Sequence, residues 1–194
     1  FWRRRVAGDN LDPALAAYLA QRKDSPDKFA KLLKRHLAKP TAIAKWPSGI
    51  NSSDKVDNAA LVEAHAAARV LWNAQRDAIV ERVVGSLSAL KANIYKPESV
   101  TTAASGWDTV LRGQDALAAM EHQPEKIDLL GETRLRDGTK KGQTTPAHAF
   151  FAAAQTLLDV RAESGQSLKL ARLRLLRDLQ SEASHALREG KRQR

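Results

Sequence analysis

The chain has 194 residues, no cysteine and a net charge of +10, so disulfides, thiolate metal sites and cysteine nucleophiles are excluded. That length accommodates one good hydrophobic core, or two small ones sharing a long element. Ala and Leu supply most of the apolar content, and strand-favouring β-branched and aromatic residues are sparse, which predicts an all-α fold. No apolar run approaches the roughly 20 residues needed to span a bilayer. The opening Phe1-Trp2-Arg3-Arg4-Arg5 is charged and no apolar stretch follows it, unlike a secretory signal, so a cytoplasmic chain without a membrane partner is expected. Because the first residue is not Met and the opening reads as the end of a helix, the chain is expected to be a segment of a longer protein.

Helix punctuation begins at Asp12-Pro13 and Ser25-Pro26, each an N-cap residue followed by proline at the first helical position. After Ser25, Phe29, Leu32, Leu33, His36 and Leu37 form one apolar face. Lys28, Lys31, Arg35 and Lys39 share another, since spacings of 3, 4 and 4 keep them in register. Pro40 stops this helix, and a loop follows through Trp46-Pro47-Ser48-Gly49. The strongest periodicity runs from about Asp57 to Lys91 through Leu61, Ala64, Ala68, Leu71, Trp72, Ile79, Val83, Leu87 and Leu90. It predicts one long central helix in an elongated multi-helix subdomain, with Gly85 tolerated inside it. A further helix is predicted over Glu98–Arg112 and a short turn of helix over Asp115–Met120. His122 to Thr145 reads as a loop-rich basic stretch carrying Arg134, Arg136, Lys140 and Lys141. Pro146 is expected to start a helix that Gly165 closes, and Ser167 to open a last basic helix reaching about Glu189.

Charge is distributed unevenly along this single predicted subdomain, 1–194. Residues 1–50 hold 11 basic and 4 acidic side chains, residues 51–133 hold 8 and 12, and residues 134–194 hold 13 and 6. The two ends are therefore strongly positive around an acidic middle, a pattern that suits a polyanionic partner.

Catalytic constellations are not found. Gly138-Thr139-Lys140-Lys141-Gly142-Gln143-Thr144-Thr145 is superficially like a phosphate-binding loop. Only three residues separate its glycines, Gln143 stands where the lysine belongs, and no buried strand precedes it. His36, His65, His122, His148 and His185 show no metal-ligand spacing, and His36 falls on an apolar helix face. Arg76 beside Asp77, and Glu81 beside Arg82, read as solvated salt links. Trp72 and Trp107 lie in apolar helical registers, so they are expected in the core and not on a base-stacking platform. A basic surface poor in aromatics suits phosphate contacts on duplex DNA. The candidate DNA-binding residues are Lys140, Lys141, Arg134 and Arg136, with the stripe Lys28, Lys31, Arg35 and Lys39. No catalytic or metal-binding residue and no cofactor is expected. The alternative is a docking module whose terminal arginines (Arg3, Arg4, Arg5, Arg188 and Arg192) meet other protein surfaces.

Several stretches in order and spacing resemble the RecB family, the beta subunits of exodeoxyribonuclease V. They are Trp2-Arg3-Arg4-Arg5-Val6, Leu37-Ala38-Lys39-Pro40, Ala67-Ala68-Arg69-Val70-Leu71-Trp72 with Arg76-Asp77, and Ala89 to Lys96. Thr139-Lys140-Lys141-Gly142 leading into Pro146-Ala147-His148-Ala149-Phe150-Phe151 is the most distinctive, and the basic run Arg188 to Arg194 follows. The region resembled is the helical insertion, subdomain 1B, of the first helicase domain. The resemblance implies a non-catalytic arm touching duplex DNA ahead of the unwinding fork of a DNA-repair helicase–nuclease. It implies as partners the rest of the RecB chain and the RecC and RecD subunits, and it places the ATP and Mg chemistry elsewhere in the parent.

Overall fold

The computed structural model describes residues 6, 11–38, 44–50, 58–120 and 122–192, and among them the fold is all-α. The helices are α1 (Pro13–Gln21), α2 (Pro26–Leu37), α3 (Ala59–Val84), α4 (Pro97–Val110), α5 (Ala116–Ala119), α6 (Glu132–Gly138) and α7 (Ala149–Arg192), with a 3-10 turn at Ile127–Leu130. The chain forms two compact units. Asp57–Ser164 make a central unit, and Phe1–Val56 with Gly165–Arg194 make a terminal unit. No helix among the described residues is long and apolar enough to cross a membrane.

In the terminal unit both expected N-caps form. Asp12 Oδ1 accepts from the Ala14 and Leu15 amides at 2.8 and 3.3 Å, and Ser25 Oγ accepts from the Lys28 amide at 3.2 Å. α1 ends in a Schellman motif, in which the Lys23 amide bonds the Ala20 carbonyl and the Asp24 amide bonds the Leu19 carbonyl, both at 2.9 Å. Lys23 takes the left-handed position of that motif, with φ +51°, where glycine is usual. This tight reversal delivers Asp24 inward. Its carboxylate has no exposed side-chain surface and receives Arg172 of α7 in a fork at 2.5 and 3.1 Å, with Lys28 at 2.7 Å. The core here comprises Leu15, Leu19, Phe29, Ile50, Leu168, Leu175 and Leu179, and the Arg172 guanidinium lies 5.5 Å from the Phe29 ring centre. Of the predicted apolar face of α2, Phe29 is buried and Leu33 and His36 are half-buried, His36 meeting the Gln180 amide at 2.6 Å. Leu32 stays 38% exposed.

The central unit packs α3, α4 and the first part of α7 around an aromatic centre. Phe150 lies 4.8 Å from Trp72 and 5.2 Å from Trp107 between ring centres, and all three are buried. Trp107 donates from Nε1 to the Ile127 carbonyl at 3.0 Å, and buried His65 donates from Nε2 to the Val110 carbonyl at 3.1 Å. These are core roles, as the apolar registers of Trp72 and Trp107 predict.

Three boundaries differ from the sequence expectation. α3 ends at Val84 instead of reaching Lys91, because the chain after Gly85 turns to pair with another segment: Leu90 bridges Thr139, and the Lys91 amide bonds the Gly138 carbonyl at 2.8 Å. α3 also carries non-helical backbone at Gln75, whose side chain is held by His148 at 2.8 Å. Second, α7 runs unbroken through Gly165. A lone helical glycine costs only about 1 kcal/mol relative to alanine. The buried positions Leu157, Ser164, Leu168, Leu175 and Leu179 keep one register across it. Third, the loop-rich stretch 122–145 carries the 3-10 turn and α6 in its middle, and α7 starts at Ala149, not at Pro146.

Candidate nucleic-acid interface

The basic segment is built on α6. Leu135 is fully buried and anchors the helix, while the Thr133 amide donates to Gln155 Oε1 of α7 at 3.2 Å. Gly138 closes the helix against the Tyr95 ring, and any Cβ there would collide with that ring. Tyr95 itself is buried and donates its hydroxyl to the Leu129 carbonyl at 3.1 Å, and burial pushes its phenol well above the ordinary range. Thr139 then pairs with Leu90, and the Lys140 amide bonds the Ala89 carbonyl at 2.9 Å.

A β-turn follows over Lys140–Gln143, closed by the Gln143 amide on the Lys140 carbonyl at 3.0 Å. Gly142 at the third position has φ +81°, as a type II turn demands. The two glycines of the phosphate-loop lookalike therefore have local reasons to be glycine: clearance under Tyr95 and a left-handed turn residue. The turn is braced at its base, where the Thr139 hydroxyl donates to the Leu135 carbonyl at 2.7 Å and that of Thr145 meets Thr139 Oγ1 at 3.0 Å.

This scaffold carries the four cations expected in an irregular loop, but only Lys140 and Lys141 lie in the turn. Arg134 and Arg136 stand two residues apart on α6 and so on different faces, Arg134 towards Asp128 and Arg136 towards Glu132 and His148. It adds Lys91, which the Leu90–Thr139 bridge brings alongside. Lys140 Nζ donates to the Ser88 carbonyl and Lys91 Nζ to the Asp137 carbonyl, each at 2.8 Å. Neutral carbonyls fix these ammonium groups without cancelling their charge. Arg134 meets Asp128 at 3.4 Å and Arg136 meets Asp137 at 4.0 Å, both exposed pairs. Such surface pairs are worth about 0–1 kcal/mol, so a phosphate can displace them. Lys141 is exposed and has no ion pair among the described residues.

The α2 stripe in the terminal unit is less uniform. Lys28 is engaged by Asp24 and by the Arg22 carbonyl at 3.1 Å. Lys31 and Arg35 are exposed, with no ion pair among the described residues, and Lys34 is exposed beside them. Lys39 lies outside the described residues, as do Arg3, Arg4 and Arg5, while Arg188 and Arg192 fall within α7 with side chains outside the description.

A second charged site in the central unit was only half legible. Arg76 pairs with Asp77 at 3.0 Å as expected, but its main partner is Asp108 of α4, bound at 2.8 Å through both Nε and Nη2. Trp72 Nε1 donates to the same carboxylate at 3.0 Å. The Arg76 hydrogen bonds hold the Asp108 carboxyl below its usual range, and Asp108 in turn raises the Arg76 guanidinium. Closed in this way, the pair ties α3 to α4.

No protein-family model matches the chain, and no curated protein sequence does.

Proposed function

We propose that this chain is a non-catalytic accessory segment of a cytoplasmic DNA-repair helicase–nuclease of the RecB kind, and that it grips the backbone of duplex DNA without reading sequence. The observation that carries this reading is the run of exposed cations Arg134, Arg136, Lys140 and Lys141 on one braced stretch of the central unit, with Lys91 bridged alongside and Lys91 and Lys140 held by carbonyls. Phosphate oxygens need such exposed, charge-retaining donors, and among the described residues no exposed aromatic platform for stacking on single strands accompanies them. Lys31 and Arg35 are the second group offered to phosphates. The rest of the helicase chain and RecC- and RecD-like subunits are the proposed protein partners, with ATP and Mg acting elsewhere in that assembly.

A docking module is the rival reading. It is supported by the exposed apolar side chains Val62 and Val70 on α3, 52% and 67% exposed and eight residues apart.

Fluorescence anisotropy with a blunt duplex and its single strand tests the proposal. Neutralising about five phosphates gives a slope of log affinity against log salt near −4.5, roughly a 500-fold loss between about 50 and 200 mM salt. The duplex is expected to bind more tightly than the single strand throughout. No binding at low salt would favour the docking module.

A further inference from the structure

We propose that an open cleft beside the basic turn is a pocket for one unpaired guanine base of DNA, an inference that rests on the backbone-binding reading above. The cleft measures about 480 Å³ and lies between α6 and the chain entering α7. That is within the roughly 300–1,000 Å³ of ordinary ligand sites. Buried Pro146 and Phe151 supply an apolar wall together with half-buried His148. His148 is already committed at both nitrogens, since Nδ1 accepts from the Phe150 amide at 3.1 Å and Nε2 donates to Gln75 at 2.8 Å. Thr145 also lines the cleft and is tied to Thr139, immediately before Lys140, so the pocket and the phosphate-binding turn share one brace.

Two lining groups remain for hydrogen bonding. Glu132 and Arg136 are four residues apart on α6 and so share a face, and both are exposed. They form no ion pair with each other, and among the described residues Glu132 forms none at all. Unlike Asp128 and Asp137, which sit against Arg134 and Arg136, the Glu132 carboxylate carries no cation among the described residues and stays open to a ligand edge that donates. Guanine alone among the bases offers two adjacent donors, N1–H and the 2-amino group, next to the O6 acceptor. A carboxylate accepts both donors, and a guanidinium donates to O6. Thymine offers a single N–H between carbonyls, and adenine and cytosine a single amino group beside a ring acceptor. In a duplex this edge is already paired, so the pocket addresses a frayed or overhanging nucleotide.

Anisotropy titrations with duplexes carrying a one-nucleotide overhang of G, A, C or T, on either strand end, test this. The native chain is expected to bind the G overhang about tenfold more tightly than the T overhang. Glu132→Gln, isosteric and on an exposed position, is expected to reduce that ratio to about twofold or less while blunt-duplex affinity holds or rises. Equal affinity for all four overhangs, with salt-dependent blunt-duplex binding intact, would overturn the guanine pocket and leave the backbone reading standing. Absence of binding to every duplex at low salt would overturn both.

Discussion

Asp24→Ala is expected to lower the unfolding free energy of the terminal unit by about 3–5 kcal/mol, because it strands a largely buried arginine. The carboxylate is fully enclosed and holds Arg172, itself only 14% exposed, through two hydrogen bonds. Burial acts to raise the Asp24 carboxyl, but the hydrogen bonds from Arg172 and Lys28 outweigh it and hold the group below its ordinary range. A depressed folded value fixes the sign of the pH dependence. The contribution is fully present above the unfolded carboxyl value near about 4, and it is lost as pH falls through the folded one. Urea unfolding of the native chain and of Asp24→Asn across this acid range measures it, and the variant's stability should be the less pH-dependent. A loss below about 1 kcal/mol in Asp24→Ala would show that the anchor is dispensable.

Phe150→Ala is expected to cost the central unit about 3–5 kcal/mol. The ring is completely buried among Trp72, Trp107 and Phe151, with centres 4.8, 5.2 and 6.4 Å away. It sits in the first turn of α7, where His148 accepts from its amide, so neighbours on one side are fixed by the helix start and cannot close the void. Chemical denaturation gives the free energy, and near-ultraviolet circular dichroism of the tryptophans reports the lost packing. An unchanged unfolding midpoint would contradict the assignment of this aromatic group as the centre of the unit.

How far the sequence was readable depended on how local each determinant is. Asp12-Pro13 and Ser25-Pro26 act within four residues, and both caps form where expected. Trp72 and Trp107 fell in strong apolar registers and are buried. The two misjudged glycines show the opposite case. Gly85 and Gly165 carry similar intrinsic helix penalties, and what separates them is tertiary. The chain after Gly85 is drawn into pairing with Thr139, whereas buried leucines continue in one register beyond Gly165. At the candidate interface, Arg134, Arg136, Lys140 and Lys141 were visible because they are neighbours in sequence. Lys91 was not, because nothing in its surroundings signals that Leu90 beside it bridges Thr139, 49 residues away. The same holds for Asp108, whose pairing with Arg76 spans 32 residues, and for Asp24, whose partner Arg172 is 148 residues distant. Lys28 looked free in the α2 stripe because the buried carboxylate that engages it is presented by a reversal centred on Lys23.

The most direct test of the backbone-binding account is the salt slope of the variant Arg134→Ala, Arg136→Ala, Lys140→Ala, Lys141→Ala on a blunt duplex, beside the native chain. All four side chains are exposed, so helicity should be retained and is checked by circular dichroism. Removing four phosphate contacts should make the slope shallower by about 3.5 and weaken binding at low salt by more than roughly tenfold. A native-like slope and affinity in the folded variant would contradict the account and move the interface away from this turn.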